Sequence, residues 1–221
     1  MFLRNPFLTP RGHLYWARRC LMDYSRWPHA TNVDGQLKRD GVSPVDLCKF
    51  NDKKLLKKLR WATLGYQHDW DTKMYSEHKR SDVPGDLYRL SHVVAQVLFG
   101  SEMNFSAEAV IVNFYHMNST LAGHVDYSER NFGLPLFSFS FGQSAVFLLG
   151  GTSLDDMPIA VKIRSGDVVV MSGECRLAYH GVPRIFNDGN QFNVSDGDEA
   201  SVPVAEYLNQ SRINMNVRQV N

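Results

Sequence analysis

Cysteine is scarce in this chain. Its three cysteines, Cys20, Cys48 and Cys175, are far apart and odd in number. That usage argues against a disulfide framework and is typical of proteins in a reducing compartment. No two cysteines form a Cys-x-x-Cys pair, so a structural zinc site is not expected. We therefore expect an intracellular protein, and Cys175 is interpreted as a buried thiol.

Long apolar runs and an excess of one charge are also missing. No stretch approaches the roughly 18 apolar residues that a membrane-spanning helix needs. The first residues lack the apolar core of a secretory signal. Lysine and arginine total 24 against 23 acidic residues, a formal net charge of +1. A nucleic-acid partner would therefore have to be recognised by a local basic patch.

Helical spacing of apolar residues is confined to the first hundred residues. It predicts helices over residues 10–25, 51–60 and 85–100, and the second of these is basic and amphipathic. Residues 26–50 are polar and predict a loop. Residues 61–86 mix aromatic with polar residues and have neither helical nor strand periodicity.

The later part of the chain has the composition of β-strands. The sequence FSFSF within residues 134–142 alternates strictly, as a half-buried strand does. Short strands with glycine-rich turns favour a sandwich or a barrel. The polar stretch 187–203 predicts a flexible insert. The predicted strands are residues 108–117, 134–142, 144–151, 159–166, 167–173, 176–182 and 211–220.

The tripeptide HVD is a candidate metal site. Residues i and i+2 of a strand project to the same face, so His124 and Asp126 lie side by side. With one distant histidine they would form the two-His-one-carboxylate arrangement of non-haem iron oxygenases, and His180 on a later strand is the natural candidate. A His-x-Asp pair also arises by chance in many chains, so this pattern alone does not establish iron.

Polar side chains share one strand face in two further segments. Arg212, Asn214 and Arg218 alternate with apolar residues, and so do Asn113 and Tyr115. Buried arginines require an anionic partner, and a dicarboxylate such as 2-oxoglutarate would provide one. The alternatives are an edge strand with both arginines in solvent and an ordinary strand with a polar rim.

Five motifs follow one another in a fixed order. They are NFYHMNSTLAGHVD, LFSFSFGQSAVFLLGG, SGDVVVMSG, LAYHGVPRI and RINMNVRQV. Together they resemble the AlkB family of iron(II)/2-oxoglutarate dioxygenases. NPFL, KLRWATLGY, SFSFGQSA and NMNVRQV make the chain most similar to the AlkB homologue 1 branch. The resemblance covers nearly the whole chain, most densely residues 105–184 and 211–220.

The resemblance implies an α+β, mainly β fold. Its core would be a double-stranded β-helix, or jelly roll, over residues 105–221. Residues 1–60 would form an N-terminal helical extension packed on that core. Residues 61–104 would supply a substrate-recognition lid and a bracing helix. All three segments are expected to form one structural unit.

The resemblance also assigns roles within the site. His124, Asp126 and His180 match the family's Fe(II) ligands. Asn113 and Tyr115 match its Asn-x-Tyr for 2-oxoglutarate, which is consumed together with O₂. Arg212, Asn214 and Arg218 match its C-terminal Arg-x-Asn-x-x-x-Arg. The first arginine would pair with the distal carboxylate of 2-oxoglutarate, and Arg218 would lie near its other end or the target base. The implied reaction removes an N-methyl group as formaldehyde.

Substrate contacts are predicted from residues 61–76, which match the lid of this family. An aromatic face is needed to stack a flipped base, and we favour Tyr75 over Trp70 for that contact. For Trp61 we favour a core or hinge role. The basic run within residues 51–60 either meets phosphates or is a solvated helix face.

One departure concerns the damaged base. The founding bacterial member has a second aspartate two residues after its iron-binding aspartate, whereas this chain has Ser128 followed by Glu129. That change fits the homologue 1 branch, which is linked to demethylation of N1-methyladenine in tRNA and N6-methyladenine in DNA, with a preference for unpaired or bulged bases. Glu129 is retained as a substrate-binding candidate.

Two further hypotheses remain open from the sequence. The same chemistry could act on a protein substrate such as a histone, or the chain could be a binding module without activity. The second is disfavoured because the three metal ligands and both arginines occur together. We expect a monomer in the nucleus or the mitochondrion, with methylated DNA or tRNA as its partner.

Overall fold

Alternating side chains on the central strands divide the protein into three layers. The computed structural model describes residues 1–4, 8–43, 49–194 and 197–221. In this part of the chain an eight-stranded main sheet has helices on one face and a four-stranded minor sheet on the other. No helix within these residues is long and apolar enough to cross a membrane.

The main sheet contains the longest pairings. Its strand order is β1-β10-β7-β12-β5-β3-β2, and β4 pairs with β3. Its central strand β12 is antiparallel to both β5 and β7. The strands are β1 (Phe2–Leu3), β2 (Ala30–Thr31), β3 (Trp61–Asp69), β4 (Met74–Arg80), β5 (Ala109–His116), β7 (Leu136–Gly142), β10 (Val168–Met171) and β12 (Ser211–Arg218).

The minor sheet closes the other side of the barrel. Its order is β6-β11-β8-β9, and all of its pairings are antiparallel. The strands are β6 (Leu121–His124), β8 (Ala145–Leu149), β9 (Ile159–Ile163) and β11 (His180–Ile185). Facing the four main-sheet strands β5, β7, β10 and β12, this sheet completes the double-stranded β-helix, so the predicted fold is confirmed.

The helices brace the outer face of the main sheet. They are α1 (Pro10–Arg18), continued by a π-helical segment Arg19–Asp23, then α2 (Asp34–Arg39), α3 (Lys53–Lys58), α4 (Gly85–Phe99) and α5 (Val202–Leu208). Thr9 caps α1, and Asp52 caps α3 by accepting from the N–H groups of Lys54 and Leu55. Apolar residues from α1, α4 and α5 share one buried cluster with the main sheet.

Strand alternation decides which side chains enter the helix-facing core. Phe114, Phe139 and Met215 pack toward the helices and are at most 1% exposed. Fully burying a large apolar side chain of this kind contributes roughly 1.5–3 kcal/mol. Their neighbours in sequence face the space between the two sheets, where Tyr115 and Phe147 belong to a second apolar cluster. The polar residues of β5, β7 and β12 are thereby directed toward that inner space.

Several predicted boundaries were wrong. The loop over residues 26–50 contains β2 and α2, because Leu37 and Thr31 are buried; residues 44–48 of it lie outside the described part. Within residues 61–86, strands β3 and β4 form a hairpin from Trp61 to Arg80, and Gly85 begins α4. The predicted insert 187–203 extends into α5, which begins at Val202. Residues 195–196 of the insert lie outside the described residues. The strand predicted over residues 176–182 begins only at His180, after the 3₁₀ segment Gly173–Leu177. Cys175, which was expected to be a buried thiol, lies in that 3₁₀ segment and is exposed.

The β3–β4 hairpin bends away from the main sheet at Gly65. This residue has φ +71, and a Cβ there would overlap the carbonyl oxygen of Glu108. Glycine accommodates both the left-handed conformation and the close approach. Before Gly65, β3 pairs with β5; after it, β3 pairs only with β4. The bend thus frees the hairpin to extend over one end of the barrel.

Candidate functional site: a metal centre between the sheets

His124, Asp126 and His180 come together at the open end of the barrel. His124 ends β6 and His180 begins β11, and the two are directly paired across the strands with ring centroids 4.4 Å apart. Asp126 Oδ1 lies 4.0 Å from His124 Nε2, and its Oδ2 lies 3.7 Å from His180 Nε2. One ligand atom from each residue falls within 4.8 Å of the others, which suits a single metal ion.

The backbone selects which imidazole nitrogen faces the metal. The Nδ1 of His124 is 3.0 Å from the carbonyl oxygen of Ala122, and the Nδ1 of His180 is 3.1 Å from that of Ala178. A carbonyl oxygen can only accept, so each Nδ1 carries the hydrogen and each Nε2 offers a lone pair. Burial lowers the pKa of His180, which favours the neutral form that binds metal.

Arg218 supports the carboxylate ligand from behind. Its Nη2 donates to Asp126 Oδ2 at 3.1 Å. Burial alone would raise the pKa of Asp126, but Arg218 and the two histidines outweigh it and hold that pKa below its usual value. The carboxylate is therefore ionised at neutral pH, as a metal ligand must be. Such contacts behind a ligand fix its orientation.

A buried ionic cluster underlies the metal triad. Arg176 Nη2 lies 2.7 Å from Glu129 Oε2, with 3% and 0% of their side chains exposed. Arg218 Nε is 3.3 Å from Glu129 Oε1. The Tyr75 hydroxyl accepts from Arg218 Nη1 at 3.0 Å and donates to Glu129 at 3.2 Å. Arg176 also donates to the carbonyl oxygen of Asp126 at 2.8 Å, so the cluster fixes both the side chain and the backbone of that ligand.

The position of Glu129 corrects a sequence expectation. It was predicted to contact substrate directly, but its carboxylate is fully buried and is bound by Arg176, Arg218 and Tyr75. It therefore acts on the site through those residues. Arg176 was missed because its partners lie far away in sequence. The sequence signal that could have indicated its burial is its position directly before the apolar residues Leu177 and Ala178, which precede His180.

Arg212 and Asn214 lie deeper between the sheets. The guanidinium of Arg212 donates to Ser140 Oγ at 2.8 Å and to the carbonyl oxygen of Gln143 at 3.4 Å. Its Nε is buried without a partner in the described part of the chain. Burial lowers the pKa of Arg212 to about 10. A cation this poorly compensated requires an anion, and a carboxylate fits the guanidinium fork.

Asn113 and Tyr115 face Asn214 and Arg212 across the strands. The register pairs Asn113 with Asn214 and Tyr115 with Arg212. Asn214 donates to Ser138 Oγ at 2.7 Å and to the carbonyl oxygen of Phe139 at 3.1 Å. Burial raises the pKa of Tyr115 to about 12, so its hydroxyl stays protonated as a hydrogen-bond donor. These groups line one polar wall suited to a bound dicarboxylate.

A cavity of about 310 Å³ joins the metal triad to this polar wall. It is lined by every residue predicted for the metal and the cosubstrate: Asn113, Tyr115, His124, Asp126, His180, Arg212, Asn214 and Arg218. Asn216 also lines it and was missed, although its place in the alternation of β12 could have revealed it. The residues fit Fe(II) at the triad and 2-oxoglutarate alongside, with Arg212 at the deep end.

The hairpin lid places its two aromatic candidates differently. Trp70 is 39% exposed and lines the cavity, with its ring 5.3 Å from Trp61 and 4.6 Å from His68. Tyr75 is half-buried, and its hydroxyl is bound in the ionic cluster. The geometry therefore favours Trp70 as the stacking surface, which reverses the order expected from the sequence. Lys73 in the connecting turn also lines the cavity and has φ +58.

Comparison with known proteins places this site in a family. Residues 1–218 match the 2OG-Fe(II) oxygenase superfamily. The chain is 38% identical to human nucleic acid dioxygenase ALKBH1, a match that covers 100% of this chain and 64% of the human protein. It is 41% identical over 75% of its length to the Arabidopsis thaliana DNA N(6)-methyladenine demethylase ALKBH1A, covering 50% of that protein. It is 38% identical over 89% of its length to the Schizosaccharomyces pombe tRNA demethylase abh1, covering 64% of it.

A solved structure has the same fold. OsALKBH1 superimposes with a TM-score of 0.59 at 22% sequence identity, covering 99% of this chain and 95% of that one. The chain spans between half and just under two thirds of the length of the three relatives. Family membership implies that the triad binds Fe(II) and that the cosubstrate is 2-oxoglutarate. The chain belongs to the 2OG-Fe(II) oxygenase superfamily.

Proposed function

We propose that this chain is an oxidative demethylase that uses Fe(II) and 2-oxoglutarate to act on N-methylated adenine in nucleic acid. One observation carries the proposal: the metal triad, the arginine-bearing wall and an exposed tryptophan all line a single cavity. The names of the relatives support the substrate class, since they refer to nucleic acid, DNA and tRNA.

The residues that line the cavity have separate roles. His124, Asp126 and His180 would hold the iron, and Arg212 would bind the far carboxylate of 2-oxoglutarate. Bound Fe(II) and 2-oxoglutarate would, with O₂, supply the oxidation of the N-methyl carbon, which would be released as formaldehyde while 2-oxoglutarate is converted to succinate and CO₂. Arg218 and Arg176 keep Asp126 oriented. The apolar wall formed by Phe147 and its neighbours limits the water that can reach the metal.

The lid and the buried metal site determine whether a paired or an unpaired base can react. A methyl group inside a duplex is out of reach, so the target base must be flipped out or already unpaired. Trp70 offers an exposed ring at the cavity mouth, on which an unpaired base can stack. Stacking tolerates any base, so recognition of the methylated adenine would depend on the other residues that line the cavity. We therefore expect loops and bulges to be better substrates than paired stems.

The test compares two substrates under identical conditions. Protein loaded anaerobically with Fe(II) and 2-oxoglutarate is exposed to O₂ with an N1-methyladenine stem-loop RNA or an N6-methyladenine bubble DNA. Mass spectrometry of each oligonucleotide should then detect loss of the methyl group, and the faster reaction identifies the preferred polymer. Asp126→Ala should abolish the loss. Succinate formation with both oligonucleotides unchanged would refute a nucleic-acid substrate.

The protein-substrate hypothesis is not favoured by any observation. The relatives named above are described by action on nucleic acids, and a histone finds no support among them. A monomeric state and a nuclear or mitochondrial location stay predictions. Our proposal is therefore restricted to the nucleic-acid reaction.

A further inference from the structure

Helix α3, which leads into strand β3 of the lid, presents a patch of positive charge. Four of its six residues are lysines, namely Lys53, Lys54, Lys57 and Lys58, and all four side chains are exposed. Arg60 follows and is also exposed. Among the described residues none of these five forms an ion pair, and the sole carboxylate contact at the helix is the N-terminal cap by Asp52. We call these five residues the α3 basic patch.

The patch is fixed relative to the main sheet. Asn32 donates through Nδ2 to the carbonyl oxygen of Lys58 at 2.9 Å and accepts at Oδ1 from the N–H of Arg60 at 2.8 Å. Leu59, between them, is fully buried. The carbonyl oxygen of Arg60 accepts from the N–H of Phe114 on β5 at 2.8 Å. A helix whose backbone is fixed in this way loses little backbone freedom when a ligand binds.

Aromatic rings connect the patch to the cavity. Trp61 comes directly after Arg60, and its ring lies 5.3 Å from that of Trp70. Trp70 lines the metal cavity, and the Lys73 ammonium lies 5.9 Å from its ring. A cationic surface thus leads through two tryptophans to the mouth of the cavity, where the Lys73 ammonium supplies a further positive charge. Positive charge combined with stacking surfaces is the pattern of single-strand nucleic-acid binding.

We propose that the α3 basic patch binds the backbone phosphates of nucleotides that flank the target base. This inference rests on the proposed function and adds the surface that holds the strand. Helix α3 is about 9 Å long, which matches two to three nucleotides at about 3.4 Å each along one strand. Lysines act as point charges on phosphates and read no sequence. The patch therefore contributes affinity and positions the strand without choosing the base.

The experiment removes two charges and follows their effect on salt dependence. Lys57→Gln combined with Lys58→Gln is compared with the wild-type chain in binding a fluorescent single-stranded RNA across a range of salt concentrations. The matched control is Arg11→Gln combined with Arg18→Gln, which removes two exposed charges from α1. Each lost phosphate contact should reduce the slope of log K against log salt by about 0.7, or about 1.4 for the pair.

Kinetics distinguish the patch from the catalytic site. The α3 variant should raise the KM for a methylated stem-loop and leave kcat unchanged. Its demethylation of a free methylated nucleoside, which cannot span the distance to α3, should equal that of the wild type. An unchanged salt slope, or an equal loss in the α1 control, would overturn the inference. If wild-type protein binds RNA through the patch but removes no methyl group, the proposed function fails and the phosphate-binding surface stands.

Discussion

Arg218 contacts the metal-site carboxylate and the lid at the same time: its Nη2 donates to Asp126 Oδ2 at 3.1 Å, and its Nη1 donates to the Tyr75 hydroxyl at 3.0 Å. Asp126 and Glu129 supply its counter-charges. Burial alone would lower the pKa of Arg218, but these carboxylates and Tyr75 raise it, so the guanidinium stays charged. One side chain thereby orients a metal ligand and anchors the β3–β4 hairpin.

Arg218→Lys should weaken the metal site while keeping the charge. A lysine side chain has a single nitrogen and no planar fork, so it cannot reproduce the contacts that Nη1, Nη2 and Nε make with Tyr75, Asp126 and Glu129. Losing such a contact behind a metal ligand typically costs about 10–100-fold in metal affinity or activity. Titration of Fe(II) under anaerobic conditions measures the change. Unchanged Fe(II) affinity and unchanged turnover would show that Arg218 does not orient Asp126.

In the absence of cosubstrate, Arg212→Met should raise the free energy of unfolding. The variant should also lose the increase in Tm that 2-oxoglutarate gives the wild-type protein. Burial depresses the pKa of Arg212 to about 10, so the charged form costs stability at every pH below that value. Replacing buried ionic groups with apolar side chains of similar volume is often neutral or stabilising, by up to about 4 kcal/mol. Thermal unfolding at neutral pH, with and without 2-oxoglutarate, reads out both effects. A variant that still gains Tm from 2-oxoglutarate would exclude Arg212 as the carboxylate-binding residue.

Arg176→Met should destabilise the fold far more than the loss of a surface ion pair. Arg176 and Glu129 are both buried, and breaking such a pair costs about 3–5 kcal/mol. The matched control is Arg130→Met, since Arg130 pairs with Glu77 at side-chain exposures of 65% and 49%. Pairs of that kind contribute about 1 kcal/mol or less. Urea unfolding of both variants measures the difference, and equal losses would refute the structural role of the buried pair.

Trp70→Ala should impair binding of the nucleic acid and spare the chemistry. Loss of one stacking contact costs about 1–3 kcal/mol, so the KM for a methylated stem-loop should rise roughly 5- to 150-fold. Conversion of 2-oxoglutarate to succinate in the absence of nucleic acid should continue. Tyr75→Phe keeps the ring and removes only the hydroxyl that contacts Arg218 and Glu129. It should therefore lower kcat more than it raises KM. An unchanged KM in Trp70→Ala would exclude Trp70 as the stacking residue.

The alternation of side chains made most of the site predictable. On β12 a two-residue period separates Arg212, Asn214 and Arg218 from the apolar residues between them, and the barrel turns that period into an inside and an outside. His124 and Asp126 were predicted from the same two-residue spacing, although β6 ends at His124 and Asp126 follows the strand. Their partner His180 depended on the family resemblance, because strand pairing between β6 and β11 leaves no local trace in the sequence.

Long-range packing explains what the sequence did not predict. In β3, consecutive residues from Ala62 to Gly65 are buried on both faces, so the two-residue period is lost. Helix α2 has six residues, one of them glycine, and is too short for a periodic signal. The Arg176–Glu129 pair joins positions 47 residues apart. Its burial, and hence the indirect role of Glu129, follows only from the folded arrangement.

Under the proposed function, one cavity couples consumption of 2-oxoglutarate to removal of a methyl group from nucleic acid. The most direct measurement is the ratio of succinate formed to methyl groups lost from an unpaired N-methyladenine oligonucleotide in the same reaction. We expect an equimolar ratio at saturating oligonucleotide, and neither product in His124→Ala. Loss of the methyl group in the absence of 2-oxoglutarate would contradict this coupling. So would an oligonucleotide that keeps its methyl group and does not increase the formation of succinate.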